Sequence, residues 1–111
     1  MVKIIHVSGK RRKAIARATV KVGKGQVRVN KKLINLYQPK LARLKIMEPL
    51  MIAGNDVINK VKIDVDVNGG GWMGQAEAAR LAIARGLVQF TNSKVLEKNF
   101  LDYDRQLLVA D

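Results

Sequence analysis

Cysteine is absent from the 111 residues. That excludes disulfides, thiolate zinc sites and cysteine nucleophiles, and nothing points to an oxidising compartment. Histidine is almost as scarce: His6 stands alone, so no imidazole metal site is expected and His6 reads as an ordinary strand residue. No apolar run approaches the roughly 18 residues of a membrane span. The opening Met1-Val2-Lys3-Ile4-Ile5-His6 lacks the apolar core and small-residue cleavage site of a signal peptide. No membrane partner is expected, and the cytoplasm is the default compartment. Pro39 and Pro49 are the only prolines, and no linker, repeat or low-complexity tract divides the chain, so a single domain over 1–111 is expected.

The most informative absence is of acid. Residues 1–45 hold 14 Lys/Arg and no Asp or Glu, whereas residues 46–111 hold 7 Lys/Arg and 9 Asp/Glu. The two parts carry +14 and −2, within a net charge of +12. A segment that cationic repels itself unless a polyanion neutralises it, and nucleic acid is the commonest such partner. Aromatics are also few, and the basic part contains only Tyr37. Single-strand binders interleave aromatics with cations to stack bases. Their scarcity here points to a reader of backbone and shape in folded RNA.

The residues that are present suit alternating strands and helices. Val2 to Val7 can form a strand. Ala14, Ala16, Ala18, Val20 and Val22 alternate with Ile15, Arg17, Thr19 and Lys21, as in a half-buried strand with a basic outer face. After the glycine turn Gly23-Lys24-Gly25, Val27 and Val29 flank Arg28, so 14–29 reads as a β-hairpin. Asn30-Lys31-Lys32 is a second basic turn. Pro39 suits a helix start, Leu41, Leu44 and Met47 have helical spacing, Pro49 interrupts, and Gly54 ends the stretch. Val61, Ile63, Val65 and Val67 alternate with Lys62, Asp64 and Asp66, the clearest strand in the chain. A long helix follows from near Trp72, with Trp72, Ala76, Ala79, Ile83, Leu87 and Phe90 on one face. Its alanines and Gly86 permit close approach to a neighbour. Ser93 can cap a last helix containing Val95, Leu96 and Phe100. The expected fold class is α+β: a two-layer domain, with a mixed sheet and N-terminal hairpin packed against helices.

Two places could carry chemistry. Lys10-Arg11-Arg12-Lys13 falls between two expected strands, in a loop or bulge, and mixes bidentate guanidinium with mobile ammonium donors. Such a run fits a phosphate backbone better than a base edge. Otherwise it is a solvated turn or a localisation signal. Arg17, Lys21, Lys24, Arg28, Lys31 and Lys32 lie on the adjoining hairpin and extend the surface. The second place is Gly69-Gly70-Gly71-Trp72-Met73-Gly74-Gln75, between a strand and a helix. Glycines admit close approach, and free amides at a helix N-terminus attract phosphate. A tight strand-to-helix turn explains the same residues equally well. No Gly-Lys-Ser/Thr follows, so this is no P-loop, and the glycines are misplaced for a dinucleotide fingerprint. Gly71-x-x-Gly74 resembles the clamp of a KH domain, but that clamp joins two helices. Asp64, Asp66, Asp102 and Asp104 lack a nucleophile or histidine base nearby in sequence. They are expected to pair structurally with Lys62, Arg80 or Arg105.

Several stretches together resemble one family. Gly69-Gly70-Gly71, Gly74-Gln75, Ala78, Ala82 and Ala84-Arg85-Gly86-Leu87 resemble the signature of small-subunit ribosomal protein nine. Gly9-Lys10-Arg11-Arg12-Lys13-Ala14-Ile15-Ala16-Arg17-Ala18 is similar to that family's N-terminal motif, and Lys24 to Asn30 to its second strand and turn. Leu44 to Leu50, and Asp102-Tyr103-Asp104-Arg105 through Val109, resemble the archaeal and eukaryotic branches. Gly71-Trp72-Met73-Gly74-Gln75-Ala76-Glu77-Ala78 resembles the archaeal one. The likeness is colinear over almost the whole chain. It implies the fold of the second domain of small-subunit ribosomal protein five, no catalytic activity and no cofactor. It also implies a place in the head of the small subunit, bound to ribosomal RNA beside neighbouring head proteins. Lys10 to Lys13, Arg17, Gly69, Gly70, Gly71 and Gln75 fall on its motifs as RNA contacts; Lys21, Lys24, Arg28, Lys31 and Lys32 are assigned from charge and position. The family continues past the position of Asp111 into a basic tail that approaches transfer RNA in the peptidyl site. That tail is absent from this sequence, so the transfer-RNA contact is assigned to no residue here.

Two other functions fit parts of the pattern. A free-standing RNA chaperone or regulatory RNA binder shares the charge, and sedimentation with or without small subunits separates it. A small kinase-like domain would use the glycine loop for phosphate, but no candidate base, metal cluster or lid accompanies it. A nucleotide titration with magnesium separates that one.

Overall fold

The computed structural model describes residues 3–109. Val2 of the expected first strand lies outside them. Five strands form one mixed sheet: β1 (Ile4–Arg11), β2 (Ala14–Val22), β3 (Gln26–Val29), β4 (Lys32–Leu33) and β5 (Val61–Asn68), in the order β1-β2-β5-β3-β4. Only β3 and β5 run parallel; the other neighbours are antiparallel. Four helices accompany it: α1 (Lys40–Ala53), α2 (Asn55–Ile58), α3 (Trp72–Thr91) and α4 (Lys94–Tyr103). The expected two-layer α+β architecture is the observed one.

Strand alternation decides which face of the sheet is covered. Ala14, Ala16, Ala18 and Val20 of β2, and Val61, Ile63, Val65 and Val67 of β5, are buried under the helices. Each large aliphatic side chain fully buried there contributes about 1.5–3 kcal/mol. The odd–even partners His6, Ser8, Lys10, Arg17, Lys21, Lys62, Asp64 and Asp66 occupy the uncovered face. The close approach expected for α3 is realised from both sides. A Cβ on Gly86 would stand 2.7 Å from a Val20 methyl, and one on Gly9 would stand 2.8 Å from the Ala78 carbonyl oxygen. Gly9 therefore belongs to a strand that α3 lies on, rather than to a turn.

Four expectations need correction. The 14–29 hairpin does not form, because β5 lies between β2 and β3. The Gly23-Lys24-Gly25 segment crosses the end of β5, where the Gly23 and Gly25 amides donate to Lys60 and Val61 carbonyls at 3.0 and 2.8 Å. The N-terminal hairpin is β1–β2, turning at Arg12 and Lys13. Pro49 does not interrupt: it lies buried inside α1, and Gly54 (φ 88°) caps that helix with its amide on the Leu50 carbonyl. The face of α1 is also displaced. Ala42, Ile46 and Pro49 are buried, while Leu41 and Leu44 are exposed. Finally, α3 has no single apolar stripe. Ala78 and Ala82 are as buried as Ala79 and Ile83, because the sheet covers one side and α1 another, whereas Trp72 is exposed at its start. The last helix follows its expected cap: the Ser93 hydroxyl accepts the Leu96 amide at 3.1 Å, and Leu96 and Phe100 are buried.

Candidate nucleic-acid interface

The register of β5 sorts the cations by position. Its Asn68 end pairs with Ile15, beside the β1–β2 turn. The β3–β4 turn lies at that same end, because Asn30 reaches across to Val67. The Val67 amide donates to Asn30 Oδ1 at 2.8 Å, and Asn30 Nδ2 donates to the Val67 carbonyl at 3.3 Å. Asn30 and Lys31 have positive φ (51° and 68°), which makes the turn tight. Lys10, Arg12, Lys13, Lys31 and Lys32 thus gather at one end of the sheet, where β5 gives way to Gly69-Gly70-Gly71. Lys21 and Lys24 sit at the opposite end, near Val61. An eight-residue strand separates the two ends by about 25 Å.

Arg17 and Arg28 occupy the middle of the uncovered face, but acid accompanies them. Arg17 is the cross-strand partner of Asp66, and Arg28 of Asp64. The other two carboxylates in the expected group behave differently: Asp104 pairs with Arg80 at 3.1 Å and Asp102 with Lys98 at 2.9 Å. The acid-free surface is therefore narrower than the sequence's first 45 residues implied.

The two candidate places in the sequence form one cleft. Arg11, Arg12, Lys13 and Ala14 line one side and Gly70 to Gly74 the other, around a cavity of about 370 Å³. Gly69 makes the contact possible. Its φ of 84° is in the left-handed region, and a Cβ there would collide with the Lys13 carbonyl oxygen. Gln75 is half-buried, and its Nε2 donates to the Gly69 carbonyl at 3.2 Å, which holds the loop's shape. The Gln75 backbone amide donates to Gly71 at 3.0 Å and starts the helical ladder. The amides of Trp72, Met73 and Gly74 precede it, and no side chain caps them and no acid stands in the first turn. A helix start in that condition presents orphan donors and roughly half a positive charge.

The four cations of the run divide. Arg12 has a φ of 56° at the tip of the turn and, with Lys10 and Lys13, is exposed; among the described residues none of the three pairs with a carboxylate. Arg11 points the other way. It is 3% exposed, its Nε lies 3.4 Å from Glu77 Oε2, and its Nη2 donates to the Gln106 carbonyl at 3.4 Å. Two residues, Lys10 and Arg11, are the last of β1 rather than part of a loop, so strand alternation sends one to solvent and the next inward. The expectation of Arg11 as a surface contact is corrected to a buried brace between β1, α3 and the chain after α4.

Two residues inside the second candidate place were given no contact role by the sequence. Trp72 and Met73 are 44% and 57% exposed and line the cleft. Helical spacing alone assigned Trp72 to the core; its place on the first turn, beyond the edge of the sheet, leaves it uncovered. His6 lies in β1 on the uncovered face, with Nδ1 3.3 Å from the Thr19 hydroxyl.

A second, electrostatic brace lies behind the site. Arg80, also buried, meets Glu48 of α1 at 2.9 Å and Asp104 at 3.1 Å. The Gln106 amide, at 3.0 Å, and then Arg80 hold the Asp104 carboxyl below the usual carboxylate range. Tyr103 donates to Glu48 at 2.9 Å, and that bond raises its phenol above the ordinary value. These contacts tie α1, α3 and α4 together and fix the helix whose start faces the cleft.

The cleft thus sets a cationic turn against an uncapped helix start. The family model described as ribosomal protein S9/S16 matches residues 9–111, and the chain belongs to that family of structural, non-enzymatic, ribosomal RNA-binding proteins of the small subunit.

Proposed function

We propose that the protein is a scaffold of the head of the small subunit and grips folded ribosomal RNA mainly through its phosphate backbone. The carrying observation is the convergence of Arg12 and Lys13 with the uncapped start of α3 on one cleft. Lys10, Arg12, Lys13 and the amides of the loop from Gly69 to Gly71 are the primary contacts, with Gln75 as the residue that holds the loop. Lys31 and Lys32 extend the contact along the same end of the sheet. Arg17 and Arg28 contribute less, because Asp66 and Asp64 stand beside them. Lys21 and Lys24 meet only RNA that wraps to the far end. Neighbouring head proteins complete the environment.

Backbone recognition has a quantitative signature. Neutralising about six to ten phosphates gives a slope of log affinity against log salt of very roughly −5 to −9. Titrating the protein with a folded small-subunit RNA fragment at several salt concentrations measures it. An affinity nearly independent of salt would overturn the reading.

A further inference from the structure

Trp72 and Met73 line not one cavity but two. Behind the phosphate cleft, between α1 and α3, a crevice of about 240 Å³ is bounded by Leu41, Ala42, Lys45, Ala76 and Glu77 together with that pair. Its walls are mostly apolar, and Lys45 and Glu77 give its rim one donor and one acceptor. Leu41 is 69% exposed, so the crevice is open to solvent, and Trp72 and Met73 stand between it and the neighbouring cleft. Nothing in the fold requires a tryptophan at this spot, since its ring contributes to neither the sheet–helix core nor the Arg80 brace.

We infer that the crevice receives the base of an unpaired ribosomal nucleotide, stacked on Trp72, while that nucleotide's phosphate lies in the adjoining cationic cleft. The inference rests on the RNA-binding reading and deepens it. Continuity carries it: one residue pair forms the shared wall of a phosphate-attracting site and an apolar one, which is the arrangement of a nucleotide's own two parts. A flat π face accepts any base, whereas Lys45 and Glu77 can meet donor and acceptor groups on a base edge. The aromatic scarcity of the basic segment is thereby answered from the other part of the chain, which supplies its tryptophan at the point where the two meet in space.

The sole tryptophan reports on the site directly. The full chain is titrated at low salt with two labelled RNA hairpins closed by the same tightly stacked tetraloop, one with an uninterrupted stem and one with a single bulged nucleotide in it. Label anisotropy gives the affinity and intrinsic fluorescence gives stacking. The expected result is binding of both, quenching by the bulged RNA alone, and a roughly tenfold loss of affinity for that RNA in Trp72→Ala, largely restored in Trp72→Phe. Circular dichroism checks that the variants fold. Bulged RNA that binds with unchanged fluorescence and unchanged Trp72→Ala affinity overturns the inference but leaves the backbone reading standing. So does equal quenching by both hairpins. A Trp72→Ala variant that binds bulged RNA normally yet fails to enter small subunits assigns the crevice to a protein neighbour, and overturns it too. Failure of both RNAs to bind at low salt defeats the RNA-binding reading itself.

Discussion

At the Val61 end of β5 the chain passes over the strand through Gly23-Lys24-Gly25; at the Asn68 end it leaves through Gly69-Gly70-Gly71, against Lys13. Both ends combine glycine with lysine, and both need glycine for steric reasons. A Cβ on Gly23 would stand 2.5 Å from that of Lys62, and one on Gly69 would strike the Lys13 carbonyl. They differ in what lies behind the loop. The Val61 end has a strand crossing whose amides are already spent on Lys60 and Val61. The Asn68 end has a twenty-residue helix whose first amides are not. Glycine and cations stand at both ends; the uncapped helix start sets the Asn68 end apart from a simple crossover.

The largest effect that would sharpen this contrast is in stability. Gly69→Ala should destabilise by several kcal/mol in urea unfolding, because a strained φ costs about 1–3 kcal/mol before the collision with Lys13 is added. Gly71→Ala, two residues on, has open space and an ordinary φ and should change stability by less than about 0.5 kcal/mol. Equal effects would show that the loop is not pinned to the β1–β2 turn. Next comes Arg11→Ala, which removes a buried side chain that meets Glu77 and the Gln106 carbonyl and should cost about 1–3 kcal/mol. Arg12→Ala should leave the unfolding curve unmoved. If Arg11 behaved like Arg12, the inward turn of the strand end would be wrong.

Affinity for RNA should break the symmetry between the two ends. The double variant Arg12→Ala, Lys13→Ala should lower the salt slope by about 2 and affinity by at least about tenfold, read from salt-dependent titrations. Lys24→Ala should lower the slope by about 1 or less. Equal losses at the two ends would mean that the RNA tracks the whole sheet. The smallest effect concerns the brace. Asp104 is depressed in the folded state, so its contribution is present above the ordinary carboxylate pKa and is lost as pH falls through the folded value. Asp104→Asn should therefore cost on the order of 1 kcal/mol at pH 7, a figure kept small by its partial exposure. The gap from the unaltered protein should close below about pH 4, as urea unfolding across pH would record.

Much of the fold was legible in the sequence because alternation reports faces. The spacing of Ala14 to Val20 and of Val61 to Val67 marks the buried side of β2 and β5, and Ser93 marks a helix start. Pairing was not legible, since alternation says nothing about which strand lies next door. The glycine turn after Val22 suits a hairpin as well as it suits a crossover. Within the candidate site, Lys10 to Lys13 and Gly69 to Gln75 were both visible as separate motifs. Their meeting was not, because it depends on the antiparallel register of β2 with β5. Arg11 and the helical-face placement of Trp72 depart from the structure for one shared reason. Charge and hydrophobicity set a preference for water or core, but the side of the strand and the reach of the sheet decide which is available.

The insertion of β5 between β2 and β3 also sets an order of events at synthesis. Residues 1–45 are made before the central strand they pair around. Until residues 61–68 arrive, β2 and β3 have no partner between them, and the sheet can close only through contacts distant in sequence. Until then the cationic segment has only its local β1–β2 and β3–β4 pairs, and one late strand turns two separate hairpins into a sheet with two distinct ends.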